Sequence, residues 1–227
     1  MIIGVTGGIG SGKSTVLRAV ARLGYPIYDC DAEAKRIIVE DADVRHQMIG
    51  LFGEDVYRDG MYQTQMVSKQ VFADHDKLAR LNAIVHPAVR RDIELWAAGM
   101  GSPTQTKPKA VCGGEETRHA SPLWSQAPSD AIALPKFIES AILFQAGMAD
   151  MCDGVAVVTV PLEERIARAL HRDRHASRED IERRIRAQRP PEDFLATYPK
   201  PSIILVNDDE TPHRYLAEQL IQFAHNL

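Results

Sequence analysis

The sequence predicts a doubly wound α/β fold, a mostly parallel five-stranded sheet with helices on both faces. Three observations predict it. Residues 2–6 are an apolar run that leads into Gly7-Gly8-Ile9-Gly10-Ser11-Gly12-Lys13-Ser14-Thr15, and Val16, Leu17, Val20 and Leu23 recur behind it at helical spacing. Residues 154–160 and 202–206 are continuous, β-branched apolar runs, suited to strands buried on both faces. Helical patterns over 162–173, 177–188 and 212–225 lie between and after those runs.

Taken in order, the first strand delivers the chain into an unbroken GxxxxGK[ST] loop. Its glycines leave the backbone free to wrap an anion closely. The loop N–H groups and the positive end of the following helix then converge on phosphate oxygens. Within that arrangement Lys13 reaches the β- and γ-phosphates of a nucleoside triphosphate, and the Ser14 hydroxyl is a ligand for the bridging Mg²⁺. Gly8, Gly10, Ser11, Gly12 and Thr15 complete the cradle.

Gly24-Tyr25-Pro26 is a break, and Ile27-Tyr28 is a short second strand ending at Asp29-Cys30-Asp31. This acidic pair falls at the sheet edge that carries the loop. A carboxylate there would hold an acceptor hydroxyl in line with the γ-phosphate and take its proton, or hold a water on Mg²⁺. Capping of the next helix is the alternative role, open for both residues and evenly balanced for Asp29. Residues 31–52 read as helical, 53–60 as turn-rich, and two further helices are expected over 64–72 and 74–98. Ser68 and Asp74 are candidate caps. His86-Pro87 falls inside the long helix, where proline is expected to kink or split it.

From residue 99 to about 131 apolar periodicity disappears and breakers accumulate, the pattern of a flexible insertion. Regular structure resumes with 132–134 and 136–139, then 141–144. Residues 165–189 carry nine arginines (165, 168, 172, 174, 178, 183, 184, 186 and 189), with acidic residues among them from Glu163 to Glu182. Most of them are expected on a solvated face of i,i+4 pairs. One or two remain to fold over a triphosphate as a lid, and a nucleic-acid groove is a third option, disfavoured by the acidic remainder of the chain.

The composition excludes several classes. A net charge of −4, with 44% hydrophobic and 26% charged residues, gives no pull toward nucleic acid or an acidic membrane. No apolar run is long enough to span a bilayer, and the phosphate loop occupies the N-terminus where a signal would stand, so a cytoplasmic enzyme is expected. Cys30, Cys112 and Cys152 are too scattered for a metal cluster, and the eight histidines show no ligand spacing.

Together these segments resemble the dephospho-CoA kinase family. The resemblance rests on residues 5–15, Leu23-Gly24, Asp29-x-Asp31-x-x-Ala34, Leu81-Asn82-x-x-Val85-His86-Pro87, and Ala141-Ile142-Leu143-Phe144-Gln145-x-Gly147. It continues through 165–172 and Arg184-Ile185-x-Ala187-Gln188 to Val206-Asn207-Asp208. It implies a P-loop NTPase core, a helical substrate-binding insert over 31–98 that holds the CoA moiety, and a helical lid over 162–190. The reaction it implies is ATP-dependent phosphorylation of the ribose 3′-hydroxyl of dephospho-CoA, with Mg²⁺. Asp31 falls at the family's catalytic aspartate. Lys13 and Arg172 join it in catalysis, Arg172 and Asn207 in ATP binding, and His86 in substrate binding. Gln145, Ala141 and Cys30 depart from the family's usual Glu, Pro and Ala, and the 99–131 insertion is foreign to its pattern.

Rival classes would show other features. A nucleoside monophosphate kinase would share loop and lid but need no His-Pro segment. A GTP-dependent switch needs an Asn-Lys-x-Asp element, which is missing here. A nucleic-acid-associated ATPase would usually carry an apolar run ending in Asp or Asp-Glu as a second metal element, whereas the apolar runs here end in Pro161 and Asn207.

Overall fold

The computed structural model describes residues 1–100 and 134–227. Five parallel strands form the sheet: β1 (Ile2–Thr6), β2 (Ile27–Asp29), β5 (Lys136–Glu139), β6 (Gly154–Thr159) and β7 (Ser202–Val206), in the order β2-β5-β1-β6-β7. A two-stranded antiparallel hairpin, β3 (Tyr57–Arg58) and β4 (Met61–Tyr62), lies apart from it, in a stretch expected to be turns alone.

Period-two alternation along the strands divides the core into two layers. Ile3, Val5, Phe137, Ala156, Val158 and Leu205 point to one side, onto α1 (Lys13–Arg22) and α9 (His213–His225). Tyr28, Ile138, Val155 and Val157 point to the other. There they meet α2 (Cys30–Glu40), α3 (Ala42–Phe52) and α5 (His75–Ala97). Gly4 faces this second layer because nothing larger fits, a Cβ there coming within 2.6 Å of Leu143 and 2.9 Å of the Cys152 sulfur. A separate small cluster, Ile166, Ala169, Ile181 and Ile185, holds α6 (Leu162–Arg172) against α7 (Arg178–Ala187).

Several expectations need correcting. The helix over 31–52 is two helices, because Asp41 adopts an extended conformation and its side chain accepts from Val44 N–H as the cap of α3. Asp74 caps α5 as expected, accepting from the N–H groups of Asp76 and Lys77. Ser68, in contrast, lies inside α4 (Thr64–Ala73) and caps nothing. The long helix runs unbroken through Pro87, since proline removes a single donor and the neighbouring packing of Val85, Ala88 and Val89 carries the turn. Leu134 lies before β5 in no regular element, and 141–147 is a series of turns rather than a strand or helix. A short α8 (Glu192–Leu195), not expected, follows α7. Nearly all of the proposed 99–131 insertion, and Cys112 with it, lies outside the described residues. Cys30 and Cys152 are buried free thiols, and burial pushes both pKa values up, Cys152 to about 12.

Candidate active site

The loop leaves β1 at the carboxyl edge of the sheet and passes into α1 at Lys13. Gly10 and Gly12 have φ of 79° and 80°, the left-handed region that glycine enters without strain. No side chain caps α1, so its leading end stays open to an anion. Asn207, at the end of β7, is buried, and its Nδ2 donates to the Ser11 carbonyl at 2.8 Å. It therefore braces the loop from behind. A Cβ at Gly12 would come within 2.2 Å of that amide, so the close approach depends on glycine.

Glu139, at the end of β5, is the acid that the sequence reading missed. The Ser14 hydroxyl donates to its Oε1 at 2.5 Å, and Lys13 Nζ stands 3.8 Å from the same oxygen. Burial raises the Glu139 pKa above the ordinary glutamate value; Ser14 and Lys13 pull it down, while Asp29 and Asp31 push it further up. The strand that carries it contributes only Phe137 and Ile138 as apolar residues before the acid, too short a run to stand out beside 154–160. A third apolar strand, beside those that run into Pro161 and Asn207, thus ends in an acid, a glutamate rather than the Asp or Asp-Glu expected of the nucleic-acid-associated class.

The acidic pair separates by role. Asp29 is the N-cap of α2, its Oδ1 accepting from Asp31 N–H and Ala32 N–H at 3.0 Å each. The Asp31 carboxylate, one residue inside the helix and exposed, has no hydrogen-bond or ion-pair partner among the described residues. Asp31 also lines a cavity of about 140 Å³ with Leu81, Asn82, His86, Ser140 and Ile142. Ser140 follows Glu139 directly, so the cavity adjoins the phosphate loop. His86 is half-buried in its wall, and burial lowers its pKa. A larger cavity of about 230 Å³ lies across α2 and α5 from this one. Its Arg36 is paired with Glu33, Glu40 and Asp92, which makes it a structural ion-pair cluster.

The arginines of α6 differ in what they touch. Arg172 ends α6, exposed, and no hydrogen bond or ion pair ties it to the loop. Arg165 and Arg168, about two turns and one turn earlier, reach the phosphate loop and Asn207. Arg165 Nε donates to the Ile9 carbonyl at 3.0 Å, and Arg168 Nη1 donates to the Asn207 carbonyl at 2.8 Å. Arg168 is also paired with Glu164 and Asp209. Most of the remaining arginines form the surface pairs that the pattern implied, such as Arg178 with Glu163 and Glu182, and Arg184 with Asp173. No helix among the described residues is long and apolar enough to cross a membrane.

A phosphate loop at the carboxyl edge of a parallel sheet, an acid bonded to its Ser and paired with its Lys, a carboxylate on the wall of the adjoining cavity with no partner among the described residues, and a helical pair whose arginines reach the loop and Asn207 define a P-loop kinase. A family model for dephospho-CoA kinase matches residues 1–102 and 126–212. The chain belongs to the dephospho-CoA kinase family. A relative of that name from Bacteroides fragilis is 32% identical over 98% of this chain and 92% of its own length. Among solved structures, a Thermus thermophilus protein superposes with a TM-score of 0.71 at 28% identity, covering 98% of this chain and 96% of that one. The dephospho-CoA kinase of Campylobacter jejuni superposes with a TM-score of 0.59 at 20% identity over 99% and 98% of the two chains, a likeness of fold.

Proposed function

We propose that this chain carries out, in the cytoplasm, the last step of coenzyme A synthesis. The γ-phosphoryl group of ATP passes to the ribose 3′-hydroxyl of dephospho-CoA, giving coenzyme A and ADP. The observation that carries this reading is the Asp31 carboxylate. Among the described residues it has no hydrogen-bond or ion-pair partner; it stands on the wall of a cavity beside the phosphate loop, and Asp29 takes the capping role. A carboxylate so placed accepts the proton of an acceptor hydroxyl held in the cavity.

In this reading the loop backbone and Lys13 hold the β- and γ-phosphates, Asn207 keeps the loop in shape, and the lid arginines add positive charge above it. His86, kept neutral by burial, offers a ring nitrogen to the bound acceptor. Mg²⁺ fits the donor set: a hydroxyl oxygen and a carboxylate oxygen, Ser14 Oγ and Glu139 Oε1, already meet at 2.5 Å beside the loop. Both are hard oxygen donors, and few protein ligands suit an ion that shares its shell with phosphates and water. Bound there, Mg²⁺ would neutralise charge on the β- and γ-oxygens.

A coupled ADP-release assay over dephospho-CoA, adenylate and thymidylate tests the proposal. Turnover confined to dephospho-CoA is expected. Turnover of either nucleotide monophosphate without dephospho-CoA would place the chain among the nucleoside monophosphate kinases in activity.

A further inference from the structure

The tip of the phosphate loop is held from outside the loop. Within it, Ser11 N–H donates to the Gly8 carbonyl at 3.1 Å. Asn207 holds the Ser11 carbonyl from behind, and the contacts from 162–190 converge on Ile9. Its N–H donates to Gln188 Oε1 at 2.9 Å, and its carbonyl accepts from Arg165 Nε at 3.0 Å. Its side chain packs on the cluster of Ile166, Ala169, Ile181 and Ile185 between the two lid helices. The neighbouring glycines admit the lid at close range. A Cβ on Gly8 would come within 2.3 Å of the Arg165 guanidinium, and one on Gly10 within 2.2 Å of the Arg165 carbonyl.

These contacts have a definite mechanical effect. Each peptide unit is planar, so holding the N–H and the carbonyl of one residue fixes both planes that flank its Cα. Gln188 and Arg165 thereby orient the 8–9 and 9–10 peptides, from which the phosphate-facing backbone continues through Gly10 to Lys13. Without the Gln188 acceptor the 8–9 plane keeps only the Ser11 N–H bond to the Gly8 carbonyl, so its orientation is held at one side instead of two. The motif glycines permit the loop shape; the lid selects it.

We propose that Gln188 is a positioning residue for the nucleotide, acting through the Ile9 N–H, so that lid docking and the shape of the phosphate loop are one event. The proposal rests on the phosphoryl-transfer reading only for the choice of nucleotide. Its test is Gln188→Leu, which keeps the side-chain volume and removes the acceptor. Loss of one neutral hydrogen bond should weaken Mg-ADP binding, measured by calorimetry, roughly five- to tenfold. Dephospho-CoA affinity should stay within about twofold, and amide hydrogen exchange over residues 8–11 should speed up while exchange in β1 stays slow. Gln188→Asn, one methylene too short to keep the contact, should do the same and replaces the leucine variant if that one fails to fold. Gln188→Glu keeps length and acceptor, and should leave exchange at Ile9 slow. Mg-ADP affinity within twofold of wild type in the Leu and Asn variants would overturn the proposal. So would an equal loss of ADP and dephospho-CoA affinity, the mark of a generally loosened lid. A protein that binds Mg-ADP but neither binds nor turns over dephospho-CoA would sink the functional reading alone, because the nucleotide arm needs no acceptor.

Discussion

Asp31→Asn separates phosphoryl transfer from nucleotide binding. The substitution preserves size and leaves the α2 cap alone, because Asp29 supplies both cap bonds at 3.0 Å. What it removes is the carboxylate that lines the cavity beside Ser140, has no partner among the described residues and is the proton acceptor in the proposed reaction. General-base catalysis contributes about 10²–10⁴ in rate, which at about 1.36 kcal/mol per tenfold is roughly 2.7–5.4 kcal/mol of barrier. The turnover number should fall by that factor. Mg-ATP affinity should hardly move, since the triphosphate is held by the loop, Lys13 and the lid. Asp29→Ala gives the reciprocal pattern. Loss of an N-cap costs about 1 kcal/mol, and in a domain of this size that lowers Tm by about 2–4 °C. The assays are steady-state ADP release, calorimetric nucleotide binding and thermal melting on both variants. A fully active Asp31→Asn enzyme would refute the reasoning. So would a larger loss of turnover at Asp29 than at Asp31 with no change in Tm, because it would give the catalytic role to the capping residue.

Three further outcomes follow from the same geometry. Lys13→Ala removes the cation aimed at the β- and γ-phosphates and should lower the turnover number by about 10²–10³ with a native circular dichroism spectrum; near-normal turnover would take the loop out of the mechanism. Glu139→Gln keeps an acceptor for Ser14 but not the charge, so the Mg²⁺ concentration for half-maximal rate should rise at least about tenfold, as expected for a lost carboxylate ligand. Its stability should also change with pH. A raised carboxyl pKa means the folded state holds the proton more tightly, so stability is lost as pH rises through the glutamate range, and melting in the Gln variant should not show that loss. His86 has the opposite sign: its lowered pKa favours the neutral ring, so stability is present above the ordinary histidine value and is lost as pH falls through about 6.5. Melting curves of His86→Gln should be flatter than wild type over that window, and an unchanged slope would mean the ring is free to protonate in the fold.

Much of the molecule is legible in the sequence because its information is local. The phosphate loop is a contiguous motif whose glycines, lysine and serine each have a backbone or electrostatic reason, and the two long apolar strands announce themselves by composition, although β7, expected to be buried on both faces, is an edge strand with only Leu205 buried. The helices over 162–172 and 178–187 could be placed by apolar spacing alone. What could not be read depends on tertiary placement. Two aspartates separated by one residue look equivalent until cap geometry commits one of them. Arg165, Arg168 and Arg172 share one face of a helix by spacing, and only the docking of that helix decides that the first two meet the loop and Asn207. Glu139 was hidden by the shortness of its strand: two apolar residues before an acid carry almost no periodic signal. Helix continuity through Pro87 is likewise a tertiary outcome, imposed on a residue that by itself argues for a break.

One contact made at the start of β5 bears on how this chain can change over generations. Lys136 Nζ donates to the carbonyls of Trp96 and Ala97, at 3.3 and 2.5 Å, and lies 5.5 Å from the centre of the Trp96 ring. It thus ties the last turn of α5 to the first residue of β5. The family model skips 103–125, which lie between these two points in the sequence. Because residues on either side supply the tie themselves, the start of β5 is registered against the end of α5 by the domain, and a change of length confined to 103–125 leaves every atom of that tie in place.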